Sequence, residues 1–327
     1  MNQNDLGDDH PLVSFAVSCY KASRFIRETI EGIVAQTYRP LEIVVSDDCS
    51  PDDTWDVLLE NIKRLEDEHK DIKFIANRNE TNLGNFGNFE KLLSLTSGVI
   101  VIKNDGDDIS CPERAERTVD AWLKDGRKAD LILCDAELID LYGKKIKGCL
   151  KPRKMFVHGA VSAYTRRCFK CFPRYGRLNV YDDQIFNNRG LMFGPPLIIP
   201  EVLVKYRQGA GLTSPGGINY RKPKIGVQRG ERLAYQLLLE ELEMVPIDPG
   251  RKDELSSNYK QHLYVAEAAL KLYDGDTYSL RKSGLNTMKK LGCSISPIYY
   301  LLLLPRGIAD LILGCWMIVR RLFKPVR

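Results

Sequence analysis

Between Gly98 and Asp108 a β-branched run, Val99-Ile100-Val101-Ile102, ends abruptly in Asp105-Gly106-Asp107-Asp108. Such a run reads as a strand buried on both faces. Three carboxylates within four residues repel one another, which costs stability at a sheet edge unless a cation or hydrogen-bond donors face them. The carboxyl ends of strands are also where open α/β sheets bind their ligands. Carboxylate oxygens are hard ligands, suited to holding Mg2+ or Mn2+ against a diphosphate. A solvated Asp/Gly turn is the plain alternative, and the surrounding elements decide between the two.

Those elements alternate. Leu12–Cys19, Leu41–Ser46, Ile72–Ala76 and Val99–Lys103 read as strands. Between them, Ser23–Gln36, Thr54–Glu68 and about Phe86–Thr96 carry apolar residues at helical spacing. The order predicts an α/β fold with a mostly parallel, doubly wound, Rossmann-like sheet. Beyond Asp108, Ser110-x-Pro112-Glu113 has capping-box spacing before a helix over Pro112–Lys124, and Leu131–Cys134 is a further strand. The pattern from Tyr142 to Gly176 is irregular and rich in Lys, Arg and Gly, as a region facing an acceptor would be. Tyr220–Glu243, Asp253–Tyr273 and Thr277–Leu291 are helical in pattern and form a C-terminal extension.

Charge and cysteine usage remove several functions. The net charge of +5 is concentrated in the tail, where five basic residues from Gly292 to Arg327 face one acid, Asp310. No basic stripe with interleaved aromatics occurs elsewhere, so nucleic acid is not an expected partner. Nine cysteines are scattered, and the pair Cys168-x-x-Cys171 lacks the second pair or nearby histidines that a zinc site needs. Met1 to His10 is polar and acidic without an apolar core, so a signal peptide is not expected and a cytoplasmic location is.

Four elements fall at the ends of successive strands: Val17-Ser18-Cys19-Tyr20-Lys21, Ser46-Asp47-Asp48-Cys49-Ser50, Asn82-Leu83-Gly84 and Asp105-Gly106-Asp107-Asp108. Singly each has a dull explanation as a turn or a helix cap. In this order and spacing they resemble the family 2 glycosyltransferases, inverting enzymes of the GT-A fold that use nucleotide-diphospho-sugars. The resemblance covers about Pro11 to Thr213. It implies that Tyr20 and Asp48 contact the nucleotide base, with Ser18 in the same pocket, and that the Asn82–Gly84 turn lets the backbone approach the nucleotide. It further implies that Asp107 is the main ligand of a divalent metal, Mn2+ or Mg2+, with Asp105 nearer the ribose or the metal's water shell. In Tyr181-Asp182-Asp183-Gln184, Asp183 matches the general base that takes the acceptor hydroxyl's proton, and Asp182 is the neighbour that would orient it or raise its pKa by repulsion. Three departures stand out: Lys21 where the family usually has Asn, Asp182 in place of Glu, and no His following Tyr206-Arg207-Gln208.

The expected organisation is therefore a tail over 1–10, a GT-A domain over 11–215, a helical region over 216–292 and amphipathic helices over 293–327. In the last, Ile308, Leu311, Ile312, Cys315, Val319, Leu322 and Phe323 form one apolar face, with Arg320, Arg321, Lys324 and Arg327 at the end. The apolar runs Pro297–Pro305 and Leu311–Val319 are each too short to cross a bilayer, so a helix lying on the inner membrane surface is expected. Docking on protein, including a homodimer partner, is the alternative. The function this implies is non-processive transfer of a sugar, UDP- or dTDP-linked, to a lipid-linked or cell-surface saccharide. A sugar-nucleotide-binding scaffold and a nucleotidyltransferase of similar fold are the competing readings. The latter wants a Gly-rich phosphate loop, and Ser18–Ser23 contains no glycine.

Overall fold

A computed structural model of the 327-residue chain describes residues 10–152, 158–210, 221–294, 298–305, 308–309 and 312. The chain divides into two compact units, Met1–Ser214 and Pro215–Arg327.

Among the described residues, the first unit is built on a nine-stranded sheet in the order β3 (Ile72–Arg78), β2 (Leu41–Asp47), β1 (Val13–Cys19), β4 (Ile100–Asp105), β8 (Ser162–Thr165), β6 (Leu131–Ile139), β9 (Leu197–Arg207), β5 (Ile109–Ser110), with β7 (Lys145–Leu150) paired to β6. Its parallel part comprises β1 (Val13–Cys19), β2 (Leu41–Asp47), β3 (Ile72–Arg78) and β4 (Ile100–Asp105). The helices between them are α1 (Ile26–Val34), α2 (Thr54–Glu68) and α3 (Gly84–Leu95). Alternation along β1 explains the layering, because odd and even residues point to opposite faces. Val13, Phe15 and Val17 join one core with Ile26 and Ile30 of α1, Leu58 and Ile62 of α2, and Val119 and Trp122 of α4 (Arg114–Lys124). The opposite face is covered by α3 and α6 (Asp182–Phe193), where Phe89 meets the Phe186 ring edge-on at 5.2 Å and Phe86 stacks on Phe186 at 5.6 Å. Helices thus cover both faces, and every parallel strand ends at the same edge.

After β4 the sheet departs from the expected pattern. The segment read as irregular contributes β7 (Lys145–Leu150), β8 (Ser162–Thr165) and the single turn α5 (Arg167–Lys170). β8 runs antiparallel between β4 and β6 (Leu131–Ile139), and β9 (Leu197–Arg207) lies parallel to β6. β8 is only four residues, Ser-Ala-Tyr-Thr, too short and too polar to announce itself by alternation. The capping box at Ser110 does not form. Ser110 lies in β5 (Ile109–Ser110), paired to β9, and its hydroxyl donates to Asn104 Oδ1 at 2.8 Å and accepts from the Arg114 guanidinium at 3.0 Å.

The second unit is helical: α7 (Arg221–Met244), α8 (Pro249–Asp274), α9 (Tyr278–Lys290) and the short α10 (Ile298–Leu301). Asp248 caps α8 by accepting from the Arg251 amide, and Thr277 caps α9 by accepting from the Leu280 amide. Ala268, Ala269, Leu272, Leu285, Met288 and Leu302 form its core. Most of the expected amphipathic tail, including Leu311, Cys315, Trp316, Val319 and the terminal basic residues, lies outside the described residues. Among the described residues, no helix is long and apolar enough to cross a membrane.

Candidate active site

A cavity of about 370 Å3 opens at the carboxyl edge of the parallel strands. Nine of the residues singled out from the sequence line it, namely Ser18, Tyr20, Asp48, Asn82, Gly84, Asp105, Asp107, Asp182 and Asp183, whereas Asp108 does not. They arrive from β1, the loop after β2, the turn before α3, the end of β4 and the first turn of α6.

On the β2 side, Asp48 is buried, and its carboxylate is a brace. Oδ1 accepts from the Leu83 amide at 2.7 Å and Asn79 Nδ2 at 3.0 Å, while Oδ2 accepts from the Gly84 amide at 2.9 Å. Gly84 itself has φ +76°, a conformation open to glycine. The expected contact of Asp48 with a base N–H is therefore shared with a structural duty that the sequence did not announce. Lys21, in the family's Asn position, also has positive φ, +55°, where Asn is at ease and Lys is not. Its amide is held by Ser50 Oγ at 2.9 Å, and its ammonium lies 5.3 Å from the Tyr20 ring centre.

The β4 end is packed closely against β1. The Gly106 amide donates to Ser18 O at 2.8 Å, and a Cβ at Gly106 would come within 2.7 Å of Cys19 Cβ, so a side chain there would push the carboxylate loop away. Asp105 accepts from Ser18 Oγ at 3.1 Å and from Lys103 Nζ at 2.7 Å. Burial raises the Asp105 carboxyl, but the Lys103 ammonium, together with His158 and the Ser18 hydroxyl, outweighs it and the net shift is downward. Burial, reinforced by the Asp105 charge, pushes Asp107 up to about 6; the Lys103 and Arg207 charges pull the other way but are outweighed. Asp108 is fully buried and pushed up strongly by burial and by Asp107; Oδ1 accepts from the Arg207 amide at 2.8 Å, whereas Oδ2 has no hydrogen bond.

The α6 side holds the second pair of carboxylates. The Asp182 amide donates to Asn85 Oδ1 at 2.8 Å, pinning the start of α6 to the start of α3. The Asp182 carboxyl is buried, which pushes it up to about 7 against the pull of Lys103. Asp183 Oδ2 accepts from the Gly159 amide at 3.1 Å.

Three lining residues were not singled out from the sequence, Lys103, His158 and Gly159, and Tyr206, noted there only for the His missing after it, lines the cavity too. Lys103 left a signal, since a lysine inside a buried run needs a partner, and a strand's period of two puts it on the face of Asp105. His158 left none. It sits edge-on to Tyr206 at 4.7 Å, so a histidine enters the site from the loop before β8 and not after Arg207. Burial lowers its imidazole against the opposing charges of Asp183 and Asp105. Arg207 is buried where β9 ends, donating Nε to Asp107 O at 2.8 Å and Nη2 to Glu28 at 2.6 Å. Cys168 and Cys171 are free, Cys168 buried and Cys171 exposed.

Against known proteins, residues 14–171 match the model of glycosyl transferase family 2. Over that span the chain carries a glycosyl transferase family 2 domain. The matched span takes in Ser18, Tyr20, Asp48, Asn82, Gly84, Asp105 and Asp107, while Asp182 and Asp183 lie beyond it. The chain is 30% identical over 186 residues to the Bacillus subtilis glycosyltransferase EpsE, covering 53% of this chain and 65% of EpsE. It is 32% identical over 97 residues to an Escherichia coli protein, UDP-Glc:alpha-D-GlcNAc-diphosphoundecaprenol beta-1,3-glucosyltransferase WfaP, covering 30% of this chain and 36% of WfaP. The chain thus spans less than two-thirds of these relatives. In fold it is similar to S. aureus TarS 1-349, solved with UDP-GlcNAc, at a TM-score of 0.58 and 16% identity, covering 97% of this chain and 93% of that one. That likeness establishes the GT-A fold.

Proposed function

We propose that this protein is a non-processive, inverting glycosyltransferase that moves a sugar from a nucleotide-diphospho-sugar to a hydroxyl of a lipid-linked or membrane-proximal saccharide. One observation carries the reading: nine residues from five separate elements converge on a single cavity at the carboxyl edge of a family 2 sheet. Tyr20, Asp48 and Ser18 receive the nucleotide, and the Asn82–Gly84 turn lets backbone approach it.

Asp107 and Asp105 are the residues that would hold Mn2+ or Mg2+. The fit is electrostatic: Asp107 is a carboxylate raised by its surroundings, the state that a cation relieves. Among the described residues, no three His, Cys, Asp or Glu side chains gather as a protein-only metal cage. Two carboxylates would then share the ion with diphosphate oxygens, as Mg2+ sites commonly do. When bound, the ion supplies Lewis-acid stabilisation of charge on the leaving diphosphate.

Asp183 accepts the proton of the acceptor hydroxyl as that oxygen bonds to the anomeric carbon and the bond to the diphosphate breaks on the opposite face. The Gly159 N–H holds Asp183 Oδ2, leaving Oδ1 for the acceptor. Support for a lipid-linked acceptor comes from the diphosphoundecaprenol substrate in WfaP's name. The amphipathic tail would hold the protein at the inner membrane surface beside such an acceptor.

A thermal-shift panel of nucleotide-sugars with Mn2+ tests the donor reading, because a ligand that binds only the folded state raises the melting temperature. At least one UDP-, dTDP- or GDP-sugar should stabilise the protein. No shift with any would reject it. Flotation with anionic liposomes tests the tail: full-length protein should float, and a chain ending near Cys293 should stay below. If both remain soluble and the shorter chain loses a dimer, the tail is an assembly element.

A further inference from the structure

Lys103 lies between the two halves of the site. Its side chain is 3% exposed, with Nζ 2.7 Å from Asp105 Oδ1 and 3.3 Å from Asp182 Oδ2. Asp105 ends β4 and sits beside Asp107, whereas Asp182 opens α6 and sits beside Asp183. A buried ammonium in water-poor surroundings is retained only with carboxylate partners, and here the partners come from segments 77 residues apart in the chain (Asp105 to Asp182). The space it occupies is kept by a glycine. A Cβ at Gly159 would lie 3.0 Å from Lys103 Nζ and 3.0 Å from Asp183 Cβ, while the Gly159 amide binds Asp183. The Phe89 ring, 5.6 Å from Nζ, closes another side.

We infer that Lys103 is a positioning residue: a buried cationic strut that fixes the base-bearing start of α6 against the carboxylate end of β4. Neither neighbour can replace it. Asn85 ties Asp182 to α3, and Ser18 ties Asp105 to β1, but neither tie joins β4 to α6. Misplacing reacting groups by about 1 Å can cost roughly 10²-fold in rate. A strut of this kind therefore governs turnover more than nucleotide affinity, because on the donor side it touches only Asp105, whereas Tyr20, Asp48 and the Asn82–Gly84 turn lie outside it. The strut follows from contacts alone, and only its effect on turnover rests on the glycosyltransferase reading.

Amide exchange and kinetics on Lys103→Met and Lys103→Arg test it in the full chain. In Lys103→Met, amides of Gly106–Asp108, of Gly159 and of the first turn of α6 should all exchange about tenfold or more faster, as local opening loses a shared restraint. Amides of β1 and β2 should stay unchanged, which also shows that the variant folds. Lys103→Arg should restore slow exchange at both ends. Loosening at only one end, at neither, or without rescue by Arg overturns the strut. With the nucleotide-sugar selected by thermal shift, Lys103→Met should lose about 10²-fold in turnover while UDP affinity in Mn2+ falls only several-fold. Equal losses in both would make Lys103 a donor-pocket residue and overturn the inference. Absence of turnover in the unmodified protein would reject the transferase reading, and the exchange result would still decide for or against the strut.

Discussion

Two edges of one sheet carry buried carboxylates in opposite states. At the amino edge, Glu42 near the start of β2 accepts from the Ser14 hydroxyl, from the Ser97 amide and hydroxyl, and from the Gly98 amide, with Lys73 at 3.5 Å. Burial raises its pKa, but these donors together outweigh burial and hold the carboxyl below the usual range. At the carboxyl edge, Asp107, Asp108 and Asp182 are pushed upward, chiefly by burial. The same chemical group is finished by the protein at one edge and left wanting at the other. Asp48 and Asp105 at the carboxyl edge have protein partners of their own, so the contrast is drawn by Asp107, Asp108 and Asp182, and raised acids of this kind cluster where ligands bind.

The largest effect that sharpens this contrast is on rate. Asp183→Asn should retain the fold and nucleotide binding but lose about 10²–10⁴-fold in transfer, the range for losing a general base. Near-normal turnover would move the role to Asp182 or elsewhere. Steady-state kinetics beside a UDP titration distinguishes the outcomes.

Next comes stability at the amino edge. Glu42→Gln should cost about 2–3 kcal/mol, since hydrogen bonds to a charged group are the strong ones, and should leave nucleotide binding intact. Denaturant unfolding measures it. Because the folded pKa of Glu42 is depressed, its contribution is present above the unfolded value near 4.5 and is lost as pH falls through the lower folded value.

The smallest effect has the opposite sign. Asp107→Asn in metal-free protein above neutral pH should raise stability by on the order of 1 kcal/mol, about 2–4 °C in melting temperature. An acid whose folded pKa is raised costs stability as pH climbs from its unfolded value of 3.8 through about 6, and the amide removes that cost. A drop in melting temperature would mean that Asp107 is finished by the fold, like Glu42.

The same contrast explains what the sequence made legible. β1 to β4 and their helices are readable because apolar runs of six or seven residues alternate with helical spacing. Seven of the nine singled-out site residues end those elements. Asp182 and Asp183 were legible as an Asp pair at a helix start. The intervening β7 and β8 were not, because their order comes from pairing with β6 and β4 and not from their own pattern. His158 and Gly159 reach the site only through that pairing, so nothing local in the sequence marks them. Asp48's brace on the Asn82–Gly84 turn was hidden for the same reason, spanning 35 residues of chain to Leu83.

The central claim is that the carboxyl edge is completed by a cation and a nucleotide together. Calorimetric titration of UDP, dTDP and GDP into the protein, with Mn2+ and with chelator, tests it most directly. At least one nucleotide should bind in Mn2+ and lose that affinity in chelator, in Asp107→Ala, and progressively below pH about 6 as protons compete for Asp107. Nucleotide affinity that is unchanged in chelator, or absent for all three with Mn2+ present, would contradict the account.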